Sequence, residues 1–229
     1  PEGAEWKTAA LGPTKLGYAR TLARELVRSA YPGAVVIETS GKHFPGEPLP
    51  RWTLLIQRRA DGTPLWADIS RLRADTEPGK HTVPHARKFI AGLARALGLD
   101  PAGGLPLAEP AAPAAVNGYV LPIDHPEGAW VTDDWSTDLG HDPLPLLAGD
   151  SPAGLRLPLA RLGEKKLRRA LTAEIRTGTL TVFIPPLLRP AYVALLAAIE
   201  ATLVALQLRD VVLAGYAPPP DDALPTIGL

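Results

Sequence analysis

The sequence predicts an α+β fold in which helices pack on a largely antiparallel or mixed sheet. Three observations predict it. Apolar residues recur at three-and-four spacing in several stretches, short β-branched or alternating runs lie between them, and tight-turn dipeptides join some of those runs directly.

Taken in order, Gly12-Pro13-Thr14 opens a helix with Pro in its first turn, and Leu16, Ala19, Leu22, Ala23, Leu26, Val27 and Ala30 fall on one face. Pro32-Gly33 ends it. Residues 34–38, with the β-branched run Val35-Val36-Ile37, then read as a buried strand. Residues 51–59 alternate, with Trp52, Leu54 and Ile56 on one side. Asp61-Gly62 follows as a turn signal before Pro64-Leu65-Trp66, which predicts a hairpin whose second arm begins at Pro64 or lies at an edge. Thr82-Val83-Pro84 starts a second amphipathic helix that stops at Gly98.

Residues 100–113 are rich in Pro, Ala and Gly and read as a linker or loop, and residues 217–225 read as a frayed end. Strands are expected over 118–123, 129–132 and 154–159. The runs 171–176 and 179–184 flank Thr177-Gly178 as a hairpin. The longest helix covers 190–206, and a last strand covers 211–214. No internal repeat is evident, and residues 1–229 read as one domain.

Composition removes several function classes. Lys plus Arg total 24 and Asp plus Glu total 24, so no net field draws a polyanion, and nucleic acid is a poor partner. The absence of Cys excludes disulfides, thiolate metal sites and a cysteine nucleophile. No run approaches the roughly 18 to 20 apolar residues of a membrane span, and the first residues do not form a signal peptide, so no membrane partner and a cytoplasmic location are expected. The absence of Met, the initiator included, suggests a chain that begins inside a longer gene product. Phosphate loops of the GxxxxGKS/T type, GxGxxG turns and GxSxG elbows are all missing.

Two polar clusters remain. The first runs from Gly41 to Trp52 as GKHFPGEPLPRW, a turn-rich loop between two strands. Lys42 and Arg51 have the chemistry to hold phosphate or carboxylate oxygens, and Glu47 to bind magnesium. The alternative is a solvated loop that Trp52 pins to the core. The second cluster is GDSPAGLRLPL at 149–159. It reads as a turn followed by an alternating strand in which Leu155, Leu157 and Leu159 share one face and Arg156 points to the other, as an anion-binding group if that face lines a cleft and a plain surface charge if it faces water. Asp150 would orient it or bind metal. The five histidines are scattered, and Pro84 between His81 and His85 spoils the helical spacing of a zinc site. Arg20, Arg24 and Arg28 read as a solvated helix ridge.

With these clusters in order, PEGAEWKTAALGPTK at 1–15, GKHFPGEPLPRW at 41–52, NGYVLPI at 117–123, GDSPAGLRLPL at 149–159 and LTVFIPPL at 180–187 make the chain resemble a bacterial amidoligase family found beside transglutaminase-like domains. Helix 191–206 and Gly215-Tyr216-Ala217-Pro218-Pro219 extend the similarity. The resemblance implies the glutamine synthetase and glutamate-cysteine ligase group, a curved antiparallel sheet, and ATP with Mg2+ as cofactors. It also implies amide formation through an acyl phosphate, with an amino acid or peptide as substrate. Lys42, Glu47, Arg51 and Arg156 are then the catalytic candidates, Lys42, Arg51, Arg156 and Ser151 the ATP-binding ones, and Glu47 and Asp150 the metal ligands.

The same resemblance leads one to expect a Gly-Gly-Glu-Pro-Thr strand ahead of Pro1, further strands after Leu229, and more sequence near 105–117 and 162–163. On that basis this chain alone carries an incomplete site. The competing expectation is a catalytically incomplete domain that binds a peptide or a transglutaminase-like partner.

Overall fold

Helix α1, Pro13–Ser29, begins with Pro in its first turn and carries the basic Arg28 in its last, where the partial negative charge of the helix end favours it. Helix α2, Val83–Ala96, is closed by a reciprocal cap. The Thr82 side chain accepts from the His85 N–H while His85 Nδ1 accepts from Thr82 N–H at 3.0 Å. Helix α3, Ser136–Leu139, is a single turn, and α4, Arg189–Ala205, is the long apolar helix. The computed structural model describes residues 12–40, 52–140 and 142–229. Among these, no helix is long and apolar enough to cross a membrane.

Among the described residues nine strands form one sheet: β1 Val35–Ser40, β2 Trp52–Gln57, β3 Leu105–Ala108, β4 Val116–Pro122, β5 Leu144–Pro145, β6 Ala170–Arg176, β7 Thr179–Ile184, β8 Val211–Gly215 and β9 Thr226–Gly228. Their order is β5-β3-β4-β6-β7-β8-β1-β2-β9. Strand β8 is parallel to both β7 and β1, and β5 to β3, while the other neighbours run antiparallel. The expected α+β class with a mixed sheet is the observed one.

Because side chains alternate across a strand, the register sorts the sheet into two faces. Val35, Ile37, Leu171, Ala173, Leu180, Val182, Val211 and Leu213 face α2 and α4 in the main core. That core also buries a polar pair, in which Tyr192 O–H donates to Gln57 Oε1 and Gln57 Nε2 donates to Thr226 Oγ1 at 3.1 Å. Each buried donor thereby has an acceptor, as burial demands.

Among the described residues, the opposite face is covered in two places. At one end α1 lays Ala23 and Val27 on Leu54 and Ile56 of β2. At the other, residues 135–162 pack Trp135, Leu144, Leu157 and Leu162 over Leu107, Val120 and Ala170. Between the two covers, strands β7, β8 and β1 show Thr181, Val212 and Glu38 on this face, and the neighbouring Glu174 of β6 lies beneath the second cover.

Several expected elements turn out otherwise. No second hairpin arm follows Asp61-Gly62. Leu65 and Trp66 instead donate their N–H groups to the Gly33 carbonyl at 2.7 and 3.0 Å, and β2 pairs with β1 and β9. Residues 129–132 contribute one bridge, Val131 to Asp124. The stretch 154–159 is not a strand. It crosses over the sheet face as two single-turn helices, Ala153–Leu155 and Leu159–Arg161, each following a proline that has no N–H to give a ladder. Conversely, the Pro-rich stretch at 100–113 holds β3, and the tail at 217–225 is docked, with Arg58 and Ala60 N–H donating to the Pro225 and Ala223 carbonyls.

Candidate functional site

The uncovered part of the second sheet face is the floor of a cleft of about 390 Å³. Thr179, Thr181, Val212, Ala214 and Glu38 form that floor; Leu16 and Arg20 of α1 with residues 73–77 form one wall; Asp150, Ser151 and Pro152 with Arg176 form the other. A groove of this size between two packed covers is where ligands are commonly held.

Its charges are arranged by pairing. Arg20 grips Glu38 with both prongs of its guanidinium, Nε to Oε1 at 2.6 Å and Nη2 to Oε2 at 3.1 Å, and its third nitrogen reaches the Asp75 carbonyl. Arg73 donates to Thr179 Oγ1 at 2.8 Å, to Asp75 Oδ1 at 2.6 Å and to the Glu77 carbonyl. The two arginines therefore tie α1 and the loop at 73–77 to the floor. By contrast, the carboxylates of Glu77 and Asp150 accept no hydrogen bond from any described residue.

The far wall is a strap, residues 149–156, that lies on the sheet through its main chain. Gly154 sits so close to Phe183 that a Cβ there would fall 1.9 Å from the ring, so only glycine allows this approach. The Ala153 N–H donates to Glu174 Oε1 at 2.7 Å beneath the strap. Arg156, with its side chain 6% exposed, forks onto Glu109 with two contacts of 2.7 Å. The same guanidinium donates from Nε to the Ser151 carbonyl at 2.7 Å, and its Nη2 lies 3.8 Å from Glu174. Arg176 donates from Nη1 to the Ser151 carbonyl at 2.9 Å and from Nη2 to the Asp150 carbonyl.

Two carboxyls in this network are pushed in opposite directions. Glu174 is 1% exposed, and burial raises its pKa above 4.5, opposed by Arg176, the Ala153 N–H and Arg156. Glu109 is lowered, first by its hydrogen bonds from Arg156. A carboxyl whose folded-state pKa is raised adds stability below its ordinary range and loses that contribution as pH rises through the folded value. Glu174→Gln, which is neutral at every pH, is therefore expected to gain stability relative to the parent between acidic and neutral pH. Urea unfolding at pH 4 and pH 7 measures the difference, and an equal gap at both pH values would show that burial of the charge carries no such penalty.

Of the residues singled out from sequence, Asp150 and Ser151 line the cleft. Arg156 lies behind them, its donors on protein oxygens, and reaches the cleft through the Ser151 carbonyl. Lys42, Glu47 and Arg51 lie outside the described residues; Thr39 and Trp52, on either side of them in the chain, line the cleft. Among the described residues no three or more of His, Asp and Glu gather to hold a metal ion.

Sequence reading missed Glu38, Arg73, Glu109, Glu174 and Arg176, and it took Arg20 for a solvated ridge. One signal was available for Glu174 and Arg176. They alternate with Ala173 and Ile175 in a strand whose other face is apolar, so both had to project onto one second face.

The chain was compared with known proteins. A family model described as "Putative amidoligase enzyme" matches residues 1–112 and 161–229, so that the strap falls between the matched segments. Neither the search of curated proteins nor that of solved structures returned a match.

Proposed function

We propose a reaction from a plain premise: this chain belongs to the amidoligase family. On that footing it is an ATP-dependent carboxylate-amine ligase whose substrates, amino acids or peptides, meet in the cleft between α1 and the strap. The observation that carries the reading is that one concavity holds both signs of charge, Arg20, Arg73 and Arg176 beside Glu38, Glu77 and Asp150. Amide formation uses both. Transfer of the terminal phosphoryl group of ATP to a carboxylate gives an acyl phosphate and ADP, and this step needs cationic donors around the phosphoryl oxygens. Attack of an amine nitrogen on the acyl carbon then expels phosphate and releases a proton, and this step gains from carboxylates that attract the incoming ammonium and accept its proton.

In this reading Asp150 and Ser151 contact substrate, and Arg156 acts through Ser151 by holding its carbonyl. Lys42, Glu47 and Arg51 lie outside the described residues and stay candidates from the sequence, in a segment whose described neighbours Thr39 and Trp52 line the cleft. The described carboxylates do not by themselves form a magnesium cage, so Mg2+ enters only as an expected requirement of ATP, with Asp150 and Glu47 as its ligands. A second reading draws on the way Arg20 and Arg73 are spent on protein oxygens. It makes the cleft a binding groove for a peptide or a transglutaminase-like partner without catalysis of its own.

The test is magnesium-dependent ATP turnover with candidate amino acids and peptides, for the parent and for Asp150→Asn. The Asp150 carboxylate holds nothing in place, so the variant is expected to fold normally and lose most turnover. Equal turnover would remove Asp150 from the site, and a full-length parent that binds peptide but turns over no ATP would establish the groove reading instead.

A further inference from the structure

We propose that Arg176 is a positioning residue of the cleft: its guanidinium fixes the main chain at Asp150 and Ser151 and so sets where those two side chains meet a substrate. The substrate side of this inference rests on the ligase reading; the geometry does not. Arg176 is the last residue of β6, just ahead of the Thr177-Gly178 turn. That turn is itself clamped, since Gly79 N–H donates to the Thr177 carbonyl at 2.9 Å and His81 N–H to the Gly178 carbonyl at 2.7 Å. The arginine thus projects from a rigid base.

From that base one planar fork spans two successive carbonyls, Ser151 at 2.9 Å and Asp150 beside it. Holding both carbonyls fixes the two peptide planes that meet at Ser151 Cα, and with them the direction in which the Ser151 side chain leaves the backbone; the first of these planes also ends on Asp150 Cα and so restrains the Asp150 side chain. Buried Glu174, whose Oε1 lies 3.7 Å from Arg176 Nη1, braces the fork from below. Arg156 Nε meets the same Ser151 carbonyl at 2.7 Å, so this one oxygen is held between two guanidinium groups. Immediately upstream is Gly149 at φ +147, a backbone conformation that residues with a side chain rarely adopt. Arg176 is 37% exposed and lines the cleft, a position suited to restraining the wall without carrying the core.

Two variants of the full chain test this, Arg176→Lys and Arg176→Gln. Lysine keeps the charge but is a point donor that cannot bridge both carbonyls, and glutamine loses charge and reach together. Hydrogen exchange is read at the Ala153, Leu155 and Arg156 amides, each hydrogen-bonded in the strap. Exchange there is expected to quicken about fivefold to tenfold in the lysine variant and further in the glutamine one, the difference between a charge-assisted pair of bonds and a single one. The urea unfolding midpoint of the lysine variant, which keeps a cation beside buried Glu174, should stay near the parent's, and KM for the acyl or amine substrate should rise more than kcat falls. Unchanged strap exchange in both variants would overturn the proposal. So would exchange that quickens evenly across the sheet in step with lost global stability, which is what a merely structural arginine would give. The exchange measurement needs no substrate. A parent without turnover would therefore sink the ligase reading while the amides still decide the role of Arg176.

Discussion

Arg156→Ala is expected to lower the free energy of unfolding by about 3 kcal/mol, the low end of what removing one partner of a buried ion pair does. The low end applies because Glu109 is 35% exposed and water recovers part of its solvation. Four groups lose a contact at once, among them the Leu147 carbonyl, which accepts from Arg156 at 3.3 Å. Glu109 keeps only the Asn117 amide at 2.9 Å, the Ser151 carbonyl keeps only Arg176, and Glu174 loses one of the two cations that offset its burial. Arg156→Lys, with charge but no fork, is expected to recover about half. The loss also depends on pH. Glu109 has a lowered pKa in the folded protein, so its contribution is present above about 4.5 and disappears as acid protonates it. The gap between parent and Arg156→Ala should accordingly narrow below that pH. A gap under about 1 kcal/mol at neutral pH, typical of an exposed pair, would mean that the network does not hold the strap.

Gly154→Ala is expected to be at least as severe, about 3 to 5 kcal/mol, although it adds a single methyl group. The new Cβ would lie 1.9 Å from Phe183 Cδ1 and 2.3 Å from Cγ, distances that no small shift accommodates. The ring cannot simply turn aside, because it is buried with Val212 and Ala214 and stands edge-to-face with Tyr216 at 5.8 Å. The strap must lift instead. Overpacking of this kind costs about 1 to 3 kcal/mol, and lifting also breaks the bond from Ala153 N–H to the buried Glu174 carboxylate, about 1 to 3 kcal/mol more. A double-mutant cycle with Phe183→Ala isolates the contact. Phe183→Ala is costly alone, but the combined variant should be about 1 to 3 kcal/mol more stable than the sum of the two single effects predicts. Strict additivity would show that Phe183 is not what the glycine makes room for.

Much of the framework could be read from residue pattern because the main core is periodic. The stripes of α1, α2 and α4 and the apolar runs of β1, β6, β7 and β8 all match a single repeat, and each is found within a residue or two of its expected ends. What pattern could not see was set by partners far away in the chain. Strand β3 hides in a Pro-rich stretch because its pairing with β4, not its composition, makes it a strand. The 154–159 run alternates like a strand yet lies across the sheet, since its polar groups are met by Glu174, Glu109 and Arg176 from other elements. The site followed the same rule. Asp150 and Ser151 stand out locally as a turn, whereas Glu38 in an apolar strand becomes notable only when Arg20 from a helix reaches it.

The place of Glu38 beside Ala214 in the sheet has one more consequence, for how the protein is made. Chain emerging from the ribosome presents α1 and the loop after it early and the strap next, so both sides of the hollow exist before its base. The base waits for β7 and β8, and the second of these must thread between β7 and the long-finished β1 as a parallel neighbour to each. Ordering across so great a sequence separation is slow and concedes little until it is complete. Ligand binding should accordingly be acquired only once β8 has been made, and a nascent chain stalled before β7 would lack most of the surface on which its charged side chains converge.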